Sequence, residues 1–73
     1  MKTIRELRTE ANMTQRDVAS AIDVTTATVY LWEQRQVEPK AIQLRQLAKL
    51  FAVSMDDIDF EAVNRKSRRQ DES

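Results

Sequence analysis

An all-α fold of five short helices is predicted for this chain, on three observations. Apolar residues recur at three- and four-residue spacing through most of its length. Hydroxyl side chains suited to starting helices (Thr14, Thr25 and Ser54) stand ahead of three of those runs. No stretch alternates apolar and polar residues in the way a half-buried strand would.

The elements follow in order. Residues 3–11 are predicted as the first helix, with Ile4, Leu7 and Ala11 on one face and Arg5, Glu6 and Glu10 outside. Asn12 ends it, Asn being the non-glycine residue that best tolerates left-handed backbone. Thr14 caps a second helix, and Asp17 three positions later makes a short-armed capping box. Val18 and Ile22 share one face, and the small Ala19 beside them lets another helix cross closely. Asp23-Val24 interrupts the period, and Thr25 caps a third helix. Val29 and Trp32 form its inner face. Its outer face holds Thr26, Ala27, Tyr30 and Leu31, with Thr28 towards one edge. A merely solvated helix more often carries Lys and Glu there. The polar connector 34–38 contains one apolar residue, Val37. Pro39 then marks the start of a fourth helix, whose stripe is Ile42, Leu44, Leu47, Ala48, Leu50 and Phe51. Ser54 to Asp57 reads as a Ser-x-x-Asp cap for a short fifth helix carrying Ile58 and Phe60. One domain is expected over 1–63. Residues 64–73 are polar and charged without apolar spacing, the pattern of a disordered tail.

Composition narrows the chemistry. The chain has 73 residues, enough for one small domain, and contains no Cys, His or Gly. Disulfides, thiolate metal sites and the commonest general base are thereby excluded. No cofactor or metal is expected. With no phosphate-cradling loop or convincing acid–base pair either, no catalytic residue is expected and an enzyme is disfavoured. Asp56, Asp57 and Asp59 suit the first turn of a helix, where carboxylates complement the dipole, better than a calcium loop, which needs a glycine and a distal Glu. No apolar run reaches membrane-spanning length and no signal peptide is visible, so a soluble cytoplasmic protein is the expectation. Net charge is zero, but the charges are segregated. Residues 1–54 hold eight basic and six acidic side chains, a balance of +2. An acidic patch lies at Asp56–Glu61 and a basic run at Arg65–Arg69. A local basic surface is sufficient at a phosphate backbone.

The two helices joined by a tight turn between Thr14 and Glu33 have the form of a helix-turn-helix, whose second helix can probe the DNA major groove. The residues Met13-Thr14-Gln15, Val18-Ala19, Ile22-Asp23-Val24-Thr25, Val29, Trp32-Glu33, Pro39, Leu47-Ala48 and Val53 to Ile58 resemble the Cro/phage-repressor type, the XRE family, over roughly residues 3–60. The resemblance implies a compact five-helix, lambda-repressor-like domain that binds double-stranded DNA as a transcription regulator, with a repressor as the leading reading and a bacterial or phage origin. It implies that Thr25, Thr26, Ala27 and Leu31 face the bases. Thr28 and Tyr30 would flank that face and meet phosphate, as would Gln15 and Lys40. Arg8 would pair with Glu33 as a structural ion pair. A homodimer on a two-fold operator is expected, with half-sites about 34 Å apart and Met55, Ile58 and Phe60 as dimer contacts or core. The alternative is a protein-interaction module of the same fold, such as an antitoxin or adaptor. A positive band along Gln15, Arg16, Arg35 and Lys40 would favour DNA over that alternative.

Where the family usually has glycine, this chain has Asn12, Asp23, Arg35 and Ala52. Asn12 and Asp23 are reasonable substitutes at left-handed positions; Arg35 and Ala52 are not natural choices there, so their turns either use other geometries or carry strain of order 1 kcal/mol each. The third helix also lacks a bidentate Arg or Lys reader for guanine. Its methyl-bearing Thr, Ala27 and Leu31 suit the thymine C5-methyl instead. Selection from random duplexes should therefore return thymine-rich rather than invariant guanine positions opposite this helix. Invariant guanines there would refute the base preference.

Overall fold

The computed structural model describes residues 1–61. The expected tail at 64–73, and the last two residues of the expected 1–63 domain, lie outside them. Four α-helices occupy most of the described chain: α1 (Ile4–Glu10), α2 (Gln15–Ala21), α3 (Thr26–Glu33) and α4 (Ala41–Phe51). A two-residue strand, β1 (Lys2–Thr3), precedes them. A 3-10 turn (Met55–Asp57) and a second strand, β2 (Ile58–Asp59), follow.

Local chemistry starts each helix. The Glu6 N–H donates to Thr3 Oγ1 at 3.2 Å, and the Thr3 N–H returns a bond to Glu6 Oε1 at 2.9 Å. The Thr14–Asp17 box is equally complete, at 3.0 and 2.9 Å. Thr25 Oγ1 accepts from the Thr28 N–H at 3.2 Å. Such caps satisfy backbone donors that the first helical turn leaves without partners. The fourth helix differs. Lys40 is its N-cap, and an ammonium has no lone pair to offer. Only the returning half of the box forms, with the Lys40 N–H donating to Gln43 Oε1 at 2.8 Å. Pro39 therefore precedes the cap rather than opening the helix. It and Leu44, both buried, occupy the two positions of a hydrophobic staple.

All four helices end alike. Asn12, Asp23, Arg35 and Ala52 have φ of 58°, 61°, 61° and 58°, so all four positions are left-handed. Beyond each, an N–H reaches back across the turn: Met13 to Arg8 O, Val24 to Ala19 O, Gln36 to Leu31 O and Val53 to Ala48 O, at 2.9–3.1 Å. This is the Schellman closure, and it requires the left-handed residue whether or not glycine supplies it. Met13, Val24 and Val53 also lay apolar side chains against the core from these turns.

The core joins Ile4 and Leu7 of α1, Val18 and Ala19 of α2 with Ile22 after it, Val29 and Trp32 of α3, Leu44, Leu47 and Ala48 of α4, and Ile58 of β2. The closest association of elements is between α2 and α3, where the small Ala19 is buried. Two expected core positions fall outside. Ala11 is exposed, because α1 ends before it. Ile42 is 60% exposed: it shares the solvent face of α4 with Arg45, Gln46 and Lys49 rather than the Leu44–Leu47–Ala48 row.

The C-terminal region also differs from expectation. Among the described residues there are four α-helices, and the segment expected as a fifth is a single 3-10 turn. Ser54 Oγ caps this turn by accepting from the Asp56 N–H at 3.2 Å, but the turn stops after three residues. The chain then becomes extended, and β2 pairs in parallel with β1, Lys2 opposite Ile58 and Thr3 opposite Asp59. Ile58 is thereby buried at 2% exposure. Strands of two residues are too short to show an alternating pattern.

A left-handed alanine costs about 1–2 kcal/mol, partly offset by its lower entropy when unfolded. Ala52→Gly should therefore stabilise the protein by about 1 kcal/mol, read as a higher midpoint in urea denaturation.

Candidate nucleic-acid interface

The outer edge of α3 is open in the monomer. Thr25, Thr26 and Ala27 are exposed, Tyr30 is 49% exposed, and Thr28 and Leu31 are half-buried. Opposite them Val29 and Trp32 are closed into the core at 0% and 3%. Trp32 is thus a packing residue. The edge carries apolar carbon and hydroxyls but no charge, because the one carboxylate of the helix, Glu33, turns inward. The Thr25 and Thr28 hydroxyls lie 2.9 Å apart and hydrogen-bond to each other. Each still has bonding capacity to spare, since a hydroxyl both donates and accepts.

Beneath this edge is a polar knot. Glu33 has a side chain only 2% exposed. Arg8 Nε donates to its Oε2 at 2.6 Å and Arg8 Nη2 to its Oε1 at 3.2 Å. The third Arg8 nitrogen, Nη1, donates to the Met13 carbonyl at 2.9 Å. Gln15 Nε2 supplies a further bond to Glu33 Oε1 at 2.9 Å. Removing one member of such a pair leaves a buried charge uncompensated, on the order of 3–5 kcal/mol. Among the described residues no buried polar side-chain atom lacks a partner. The Gln15–Glu33 bond had no signature in the sequence. Its ends are 18 residues apart, and a Gln at a helix start reads as exposed.

The surrounding charge departs in part from the positive band expected along Gln15, Arg16, Arg35 and Lys40. Arg16 and Lys40 are exposed. Arg35 instead donates from Nη2 to Asp59 Oδ1 at 2.9 Å, a half-buried pair joining the end of α3 to β2. That pair reduces the positive band anticipated along Gln15, Arg16, Arg35 and Lys40. Among the described residues no group of three or more His, Cys, Asp or Glu is disposed to hold a metal. Lys2 and Glu10 pair at 2.6 Å, but both are about half exposed, where solvent leaves such a contact little energy. Two concavities of about 440 and 450 Å³ are lined by β1, α1, α4 and the C-terminal segment. Neither includes a residue of α2 or α3. Among the described residues no helix is long and apolar enough to cross a membrane.

A family model described as helix-turn-helix matches residues 4–58, three quarters of the chain. No curated protein matches it at a significant level.

Asp17, at the start of α2, titrates below its ordinary value of 3.8. The bond from the Thr14 backbone N–H is the main cause, followed by the Thr14 hydroxyl and the charge of Arg16. Folding thus favours the ionised form. Its contribution is whole above the ordinary carboxylate value and disappears as pH falls through the lowered one. Asp17→Asn should be less stable than the parent at neutral pH, and the gap should narrow as pH falls below the ordinary carboxylate value of 3.8 and the Asp17 carboxylate takes up its proton. Urea denaturation of both proteins across that range reads the effect.

Proposed function

Because the chain belongs to the XRE/Cro-type helix-turn-helix family, a family of DNA-binding regulators, we propose that it is a sequence-specific repressor that lays α3 in the major groove. In this reading Thr25, Thr26, Ala27 and Leu31 meet base edges. Gln15, Thr28, Tyr30 and Lys40 meet phosphates and set the register. The Arg8–Glu33 pair holds the scaffold, and the protein performs no catalysis. The observation that carries the reading is the asymmetry of α3: its inner side chains are sealed into the core while Thr25, Thr26, Ala27 and Tyr30 are exposed.

One such helix reads few base pairs. A homodimer on a two-fold operator supplies the rest, and the half-buried Met55 and Phe60 are its contact candidates. Ile58, buried within the monomer, is core. The working location is the cytoplasm, on the nucleoid. A second reading, a protein-interaction module, is favoured by one observation. Arg35 is neutralised by Asp59, so the cationic band is thin and the α3 edge is uncharged.

Selection of binding sites from random duplexes separates the two, since a protein-binding module recovers none at low salt. On a recovered site, Thr26→Ala and Leu31→Ala should change base preference by roughly 1–3 kcal/mol at single positions. Lys40→Ala should weaken all sequences alike and reduce the salt slope by about 1. A gel-shift titration unmoved by any of these changes would overturn the assignment of sites.

A further inference from the structure

Gln15 carries a primary amide with two N–H bonds on one end and a carbonyl oxygen on the other. One N–H is held by Glu33 Oε1 at 2.9 Å. A carboxylate only accepts hydrogen bonds, so it binds the NH₂ end and rejects the carbonyl end. The carboxylate is itself pinned by two N–H groups of Arg8 and is sealed from water. The amide therefore cannot turn over while Glu33 is in place.

The geometry points to Glu33 as a positioning residue for DNA: through Gln15 it presents an N–H, rather than a carbonyl, to a backbone phosphate. The inference rests on the phosphate role given to Gln15 above. Phosphate oxygens also only accept, so the amide's orientation decides whether the contact attracts or repels. Arg8, Glu33, Gln15 and phosphate then form one series of alternating donors and acceptors. The ion pair at its root sets the direction of the last donor. Half-buried Gln15, at the first position of α2, occupies both the knot and the surface.

Two measurements test this. In nuclear magnetic resonance of the free protein, one Gln15 amide proton should be displaced from those of the exposed Gln34, Gln36 and Gln46, and Glu33→Gln should erase the difference. An unperturbed Gln15 amide in the parent protein overturns the inference. On the tightest duplex recovered by selection, Gln15→Ala and Glu33→Gln should each lose roughly 5- to 10-fold in affinity, and the double variant no more than either alone. Additive losses, or none from Glu33→Gln, would show that Glu33 only supports the scaffold. That outcome leaves the phosphate role of Gln15 standing. A Gln15→Ala variant of unchanged affinity removes that role and this inference together. If Glu33→Gln does not fold, the paired Arg8→Met/Glu33→Gln variant removes both charges, and the same cycle is run with it.

Discussion

The buried carboxylate of Glu33 is the constraint on which the arrangement of the first three helices depends. Apolar burial drives their association but has little direction, since it is roughly proportional to area alone. Hydrogen bonds to a desolvated carboxylate are directional, and leaving one unmade is costly. Glu33 on α3 takes two donors from α1 and one from α2. Arg8 uses its remaining nitrogen on the Met13 carbonyl, in the turn that leads from α1 to α2. One side-chain cluster therefore sets the relation of α1, of the turn after it, and of α2 to the last residue of α3.

The character of the exposed edge follows from the same choice. Turning Glu33 inward removes the one carboxylate from the outer surface of α3, and Val29 and Trp32 occupy the rest of the buried side. Small hydroxyls, a methyl, Leu31 and the Tyr30 ring are left outside. Such a surface offers shape and methyl groups rather than charge. Any cation meeting a phosphate must come from neighbouring elements, where Arg16 and Lys40 are exposed.

Much of this was legible because it is local. The Thr14–Asp17 box and the Thr25 cap join residues three apart, and Val18, Val29 and Trp32 follow from helical period alone. Of the four left-handed positions, Asn12 and Asp23 suit such backbone, while Arg35 and Ala52 stand where glycine would be at ease. What the sequence could not tell is whether the chain bends there or tolerates the strain; it tolerates it. Helical period alone misplaces residues at helix ends and does not settle which face of a helix is buried. Ala11 lies just beyond the end of α1, Ile42 lies on the solvent face of α4, and Pro39 stands one residue before the cap rather than inside the helix. The pairs Gln15–Glu33 and Arg35–Asp59 depend on tertiary placement of residues 18 and 24 apart, which no local pattern encodes. The two-residue strands are likewise a product of assembly.

The Arg35–Asp59 bridge has a mechanical meaning. Asp59 sits in β2, directly opposite Thr3, and Thr3 caps α1. Arg35 sits one residue past the C-cap of α3. The end of the described chain is thus fastened at once to the head of the first helix and to the tail of the third. Tension applied beyond Glu61 would not stay at the periphery. It would act as torque on both ends of the unit that carries the exposed edge.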